Sequence, residues 1–151
     1  MSETIEQFIT RHEGRRNKPY QDNANPPKET IGVGWNMTAN PLPLGMKAYL
    51  HDHGEITDVM IDQLLSISIG LATFNCEKLF PDFDNFSDNR RMALIDFVFQ
   101  LGKHGAGNFV HAIAAINTGR WKDAANAMRN SEWFHQVPNR AEEVTDLIEE
   151  G

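Results

Sequence analysis

His12-Glu13-Gly14 … Tyr20-Gln21-Asp22 … Thr30-Ile31-Gly32-Val33-Gly34 is the stretch on which the reading of this chain turns. Ile5, Phe8, Ile9 and His12 recur at helical spacing, which predicts a short amphipathic helix over residues 3–12 with one core face. Gly14 is a natural C-terminal stop, so Glu13 falls at the negative end of that helix's dipole. Asp22 follows Pro19 and Tyr20 at the tip of an extended stretch, and Asn23-Ala24-Asn25-Pro26-Pro27-Lys28 is dense in turn formers. From Thr30 to Trp35 β-forming residues alternate with glycine, which predicts a strand. Gly32 and Gly34 carry no side chain, so a ligand or another backbone can approach closely there.

Two carboxylates and a hydroxyl thus meet where a helix gives way to a hairpin. A pair of carboxyl groups in one cleft is the minimum equipment for breaking a glycosidic bond: one protonates the leaving oxygen and the other supports the attack on the sugar. The end of a helix disfavours the charged form of Glu13, which suits a proton donor. A Glu near a helix end and an Asp in a loop are most often plain solvated groups, and their spacing alone does not separate the two readings. The surrounding residues do.

The rest of the chain reads as helices. Pro41-Leu42-Pro43-Leu44-Gly45 breaks the chain after the hairpin, and His51 to Gly54 reads as a turn. Thr57 is an N-cap for a helix over about 58–76, along which Ile61, Leu64, Leu65, Leu71, Ala72 and Phe74 roughly keep helical spacing. Phe80-Pro81-Asp82-Phe83 ends it. Ser87 or Asp88 caps the next helix, with Met92, Ala93, Ile95, Phe97 and Phe99 on it. Further helices are expected over 108–117 and 121–130, and a last one from Pro138, a residue suited to a first helical turn. This is an α+β, mostly α arrangement. A small hairpin lobe (about 14–57) joins through the long helix (58–76) to a helical lobe (77–151) that also takes in the N-terminal helix 3–12.

At 151 residues and 40% hydrophobic content the chain amounts to a single globular domain. No consecutive apolar run approaches the ~18 residues of a membrane span. Met1-Ser2-Glu3-Thr4 lacks the basic and apolar start of a signal peptide, so a cytoplasmic location until release is expected. The lone Cys76 fits a buried, inert thiol. The net charge of −7 gathers over residues 36–89 (net −6) and 141–151 (net −5), while 90–140 carries +4. A negative surface argues against general nucleic-acid binding.

Two later blocks lengthen the pattern: Arg90-Arg91-Met92-Ala93-Leu94-Ile95-Asp96-Phe97-Val98-Phe99-Gln100-Leu101-Gly102, and Arg120-Trp121-Lys122-Asp123-Ala124-Ala125 followed by Ser131-Glu132-Trp133-Phe134-His135-Gln136-Val137-Pro138-Asn139-Arg140. With the opening stretch, and in the same order from about residue 5 to about residue 145, they resemble phage-type lysozymes, glycoside hydrolase family 24, of the T-even type. The resemblance implies a lysozyme-like fold and an endo-N-acetylmuramidase cutting the β-1,4 bond of peptidoglycan glycan strands with inversion. It implies Glu13 as the general acid, Asp22 as the second carboxylate and Thr30 as the residue that helps hold the attacking water. Arg140 matches the arginine that orients the acid. Gln100, Phe99, Trp133, Gln136 and Asn139 match residues around the cleft, and Tyr20, Gly32 and Gly34 frame the hairpin. It implies no metal or other cofactor and action on the bacterial cell wall. A monomer without stable membrane association is expected.

The chain departs from the family in several places. The Asp22–Thr30 loop is two residues longer. Trp35 stands where histidine is frequent, and Ala112 and Ala127 replace polar substrate contacts. By the resemblance, the T-even type's final helix and tail are expected to be missing after Gly151. Two alternatives remain: a non-catalytic glycan-binding module, and a lytic transglycosylase on the same polymer. Elsewhere, His51-x-His53 lacks a third metal ligand. Phe80, Phe83 and Phe86, with Trp121 and Trp133, read as core packing, and Gly105-x-Gly107 as a turn.

Overall fold

The computed structural model describes residues 3–151. Its elements in order are α1 (Ile5–Glu13), β1 (Arg16–Gln21), β2 (Glu29–Gly32), β3 (Trp35–Asn36), α2 (Leu44–His53), α3 (Asp58–Leu79), a 3-10 turn (Phe83–Asn85), α4 (Asp88–Gly107), α5 (Val110–Asn117), α6 (Trp121–Arg129), α7 (Glu132–Gln136) and α8 (Pro138–Glu150). The fold is the expected α+β, mostly helical one, with one three-stranded antiparallel sheet among the described residues. The chain divides into two compact units, Met1–Ser68 and Ile69–Gly151, and the division falls inside α3.

In the first unit α1 opens with a reciprocal cap. The Thr4 hydroxyl accepts from the Gln7 amide N–H (3.1 Å) while the Gln7 side chain accepts from the Thr4 N–H (2.9 Å). Phe8 and Ile9 are its buried face. In the sheet Arg16 lies opposite Gly32 but Tyr20 lies opposite Thr30, so β1 carries extra residues as a bulge. The strand expected over 30–35 is in fact two strands. Gly32 (φ +65°) and Gly34 (φ +67°) reverse the chain between β2 and β3, a conformation that costs glycine little. Alternation of β-formers with glycine runs on through such a turn, and so conceals it. The hairpin is tied to the start of α3: the Asn17 side-chain amide donates to the Ile56 carbonyl (2.8 Å), and Arg15 pairs with Asp62 (2.8 Å).

Residues 51–54, expected as a turn, are instead the end of α2, which Gly54 terminates in the left-handed region (φ 75°). Met46 is the one buried residue of α2, so its sequence has no apolar stripe to betray it. The ring of His53 stacks on Tyr49 at 3.8 Å, and His51 meets Asp52 at 3.2 Å. Thr57 caps α3 by accepting from the Met60 N–H (3.2 Å). The helix runs to Leu79, three residues beyond the expected end. Although no consecutive apolar run marks it, α3 is long and apolar enough to match a membrane-crossing helix in composition. Ile61, Leu64, Leu65, Ala72 and Cys76 are buried, while Val59, Ile67, Leu71 and Phe74 are exposed. Burial, with a smaller push from Glu77, raises the Cys76 thiol to about 12, so it stays an inert hydrophobe.

In the second unit Ser87 caps α4 through the Arg90 N–H (3.2 Å). The corner expected at Gly105-x-Gly107 lies instead at Gly102, whose φ of 72° and ψ of 169° interrupt α4; Gly105 and Gly107 sit in helical backbone beyond it. Ala124, Ala125 and Ala141 are fully buried, and small side chains let the neighbouring helices α6 and α8 approach closely. Phe80 and Phe83 are buried, and Phe86 meets Phe83 and Trp121 edge-on (6.1 and 4.8 Å).

Arg90 closes the end of α8. Its guanidinium donates to the carbonyls of Ile148 (2.8 Å) and Glu149 (3.1 Å) and lies 4.1 Å over the Trp121 ring. It thereby satisfies carbonyls that the last turn of a helix leaves without partners. Arg90→Ala removes both bonds and the stacking, and is expected to cost about 2–3 kcal/mol. Denaturant unfolding measures this, and a loss below about 0.5 kcal/mol, an ordinary surface effect, would refute the assignment.

Candidate active site

Glu13 is the last residue of α1 and is half-buried. Gly14, at φ 80°, turns the chain out of the helix and into β1. That turn lays the Glu13 side chain against the backbone of Gly34. A Cβ built on Gly34 would stand 2.9 Å from Glu13 Oε1 and 3.0 Å from its Cδ. The carboxyl therefore occupies the space that a side chain at position 34 would need.

Asp22 follows β1 directly and closes the loop after it. Its N–H donates to the Lys28 carbonyl (3.0 Å), and its Oδ1 accepts from the N–H groups of Ala24 (3.0 Å) and Lys28 (2.8 Å). This is the local bonding for which Asp is favoured in turns. Oδ2 makes no hydrogen bond among the described residues. Thr30 is 4% exposed, and its hydroxyl donates to the Lys28 carbonyl (3.1 Å). With its proton committed, that hydroxyl has lone pairs left to accept from a further donor.

Tyr20 stands opposite Thr30 in the sheet register, two residues before Asp22. Burial first, then the Glu13 carboxylate, pushes its hydroxyl above the ordinary range; Arg16 opposes this and Asp22 adds to it. The Arg16 guanidinium lies 4.3 Å over the Tyr20 ring. The phenol thus senses both carboxylates. Glu13, Tyr20, Asp22, Thr30 and Gly34 all lie within the first unit.

A second group lies in the second unit. Arg140, in the first turn of α8, grips Asp96 of α4 at two points: Nη2 to Oδ1 at 2.6 Å and Nε to Oδ2 at 3.1 Å. The Gln100 amide donates to Asp96 Oδ2 (2.8 Å), and the Trp133 indole N–H donates to Gln100 Oε1 (3.3 Å). Trp133 is wedged edge-on against Phe97 (5.0 Å) and Phe109 (6.2 Å), so it is a structural aromatic. Asp96 is wholly buried. The sequence reading gave it no role. The one available signal was an acid set at a core position inside Ala93-Leu94-Ile95-Asp96-Phe97-Val98, where an unpaired charge is not tolerated. Of the remaining expected residues, Phe99 is half-buried on α4, while Gln136 and Asn139 are exposed at the end of α7 and the start of α8. Trp35 bonds through its indole N–H to the Asn40 carbonyl (2.8 Å).

These features define a mostly helical protein whose first helix presents a carboxyl to a glycine-bearing hairpin with a second carboxylate beside it. The phage lysozyme family model matches residues 10–147, and the chain belongs to that family. It is similar to two Dictyostelium discoideum proteins named "Probable T4-type lysozyme 1" and "Probable T4-type lysozyme 2". The identities are 31% and 25%, over 100% of this chain and 96% of each relative. It is also 29% identical, over 96% of its length, to 27% of the pre-baseplate central spike protein Gp5 of Enterobacteria phage T4. Family membership supports a glycoside hydrolase of lysozyme type that degrades peptidoglycan.

Proposed function

We propose that this chain is an endo-N-acetylmuramidase. It hydrolyses the β-1,4 bond between N-acetylmuramic acid and N-acetylglucosamine, with inversion. The observation that carries the reading is the Glu13 carboxyl seated over Gly34, in one unit with the Asp22–Thr30 end of the hairpin.

In this mechanism Glu13, protonated, donates to the bridging oxygen as the bond breaks. Positive charge grows on the sugar ring, and the Asp22 carboxylate stabilises it. Asp22 is held by two backbone N–H groups through Oδ1, which leaves Oδ2 to receive a proton or hydrogen bond from the attacking water. The Thr30 hydroxyl, already donating to Lys28, accepts the water's other hydrogen and turns its lone pair toward the ring. The enzyme acts as a single chain on the bacterial wall.

Product analysis tests this reading. Digestion of purified peptidoglycan is expected to release muropeptides with a hydrated reducing end. At early times the new end is the α-anomer, because attack comes from the face opposite the leaving group. Anhydro-muramic ends would make the protein a lytic transglycosylase. A β-anomer would point to a retaining route, and absence of soluble product from folded protein to a binding module.

A further inference from the structure

Arg16 opens β1, just after Glu13 and the bend at Gly14, and its side chain is exposed. Its guanidinium lies 4.3 Å over the ring of Tyr20, further along the same strand. Stacking of this kind holds a guanidinium by its face and leaves the N–H donors at its rim open. Those donors make no hydrogen bond or ion pair among the described residues. The adjacent Arg15 is the contrast: it is tied to the Asp62 carboxylate (2.8 Å) and to the Asp58 carbonyl (2.9 Å). Arg16 is thus a held cation with its donors unused. The sheet sets its place. Arg16 stands opposite Gly32 and Tyr20 opposite Thr30, with Asp22 following the end of β1. Besides burial, the Tyr20 hydroxyl feels Glu13, Arg16 and Asp22, so the cation and the two carboxylates lie about one phenol.

We propose that Arg16 is a specificity-determining residue: its guanidinium, held flat on the Tyr20 ring, binds a carboxylate on the side arm of a muramyl residue, so that the enzyme takes acid-bearing glycan strands in preference to neutral ones. This deepens the reading of the chain as a muramidase and rests on it. Cleavage beside Glu13 and Asp22 sets a muramyl sugar next to that pair in every turnover. The lactyl arm of that sugar carries a carboxyl group, either free or extended by an acidic stem peptide. A planar guanidinium meets a carboxylate at two points, with the donors that stacking leaves open. The chain carries a net charge of −7, and the two site carboxylates add their own repulsion at close range. A cation beside them offsets that repulsion where the arm arrives. A neutral polymer of N-acetylglucosamine has no acid to offer there, so Arg16 adds nothing to its binding.

The test is binding of soluble, uncut strands, with Glu13→Gln as the background so that no bond is broken during the measurement. The ligands are intact peptidoglycan strands, strands stripped of their stem peptides by an amidase, and stripped strands whose lactyl carboxyls have been converted to methylamides. Arg16→Gln is expected to raise Kd for acid-bearing strands about 10-fold and to leave the methylamide strands within about 2-fold. Arg16→Lys keeps the charge but loses the planar fork, and a rise of about 3-fold is expected. Lys18→Gln removes an exposed positive charge from the same strand and is expected to stay within about 2-fold on every ligand. A loss on stripped strands identifies the lactyl carboxyl as the group bound, and a loss on intact strands alone identifies the stem peptide. An equal loss on methylamide strands would make Arg16 a general contact and overturns the proposal. So does unchanged affinity for both acid-bearing ligands, or a loss in Lys18→Gln as large as in Arg16→Gln, which would mean diffuse attraction. If Arg16→Gln does not fold, the same comparisons are made with Arg16→Lys. Wall lysis by the chain with Glu13 in place is measured separately: its failure would sink the muramidase reading, while the binding comparison still reports on Arg16.

Discussion

Glu13→Gln is expected to abolish wall lysis and leave the fold intact. The amide has nearly the shape of the carboxylic acid, so it fills the same space against Gly34 and asks nothing new of the hairpin. What it lacks is an acidic proton for the leaving oxygen. General acid catalysis of this kind is worth ~10²–10⁴ in rate. A loss of at least about 10³-fold is expected, because the uncatalysed departure of a sugar alkoxide is very slow. The measurement is turbidity of outer-membrane-permeabilised Gram-negative cells, wild type beside variant, with melting temperatures for both. Clearing by wild type alone, at matched stability, identifies Glu13 as the acid. Comparable clearing by the variant would remove Glu13 from the chemistry.

Gly34→Ala attacks the same group from its other side and should give the next largest loss. Two costs combine. The backbone at position 34 has φ +67°, a region where an L-side chain is strained by about 1–2 kcal/mol. The new methyl would also stand 2.9 Å from Glu13 Oε1, well inside contact distance, so the carboxyl must swing away. Displacing a catalytic group by about 1 Å can cost on the order of 100-fold in rate. Gly32→Ala is the control. It shares a positive φ of +65°, but its Cβ would meet Ile61 at 3.4 Å, an ordinary contact. It should therefore lose similar stability and keep most of its activity. Equal activity losses in the two variants would show that backbone strain, not the collision with Glu13, is responsible.

The first helix and its glycine stop were legible because each signal is local: a periodic apolar face, a helix-ending glycine, and an acid between them. The glycines of the hairpin were read correctly as places of close approach, but the sequence did not say what approaches. At Gly34 it is the Glu13 carboxyl itself, brought there by a bend at Gly14. Helix α2 was not legible because a helix with one buried residue has no pattern to show. The turn inside Thr30–Trp35 was hidden because Gly32 and Gly34 fit an alternating strand as well as they fit a reversal. Asp96 was missed for a different reason. Its meaning lies in Arg140, which is 44 residues away, and no local rule links them. The three ordered blocks carried the family, which single residues could not have done.

The Asp22–Thr30 loop also has a bearing on how this hairpin tolerates changes in length. Residues 22 and 28 are joined at the loop's neck by two hydrogen bonds, and Tyr20 pairs with Thr30 below that neck. The exposed residues 23–27 therefore hang outside a closed ring, and the spacing of Asp22 from Thr30 is set by the ring rather than by the loop. Added residues can be absorbed there without a change of register. The same logic makes the segment after Ala24 a graft point: a short epitope or fluorophore-bearing peptide inserted there would ride on the hairpin while the carboxylate and hydroxyl beneath it kept their places.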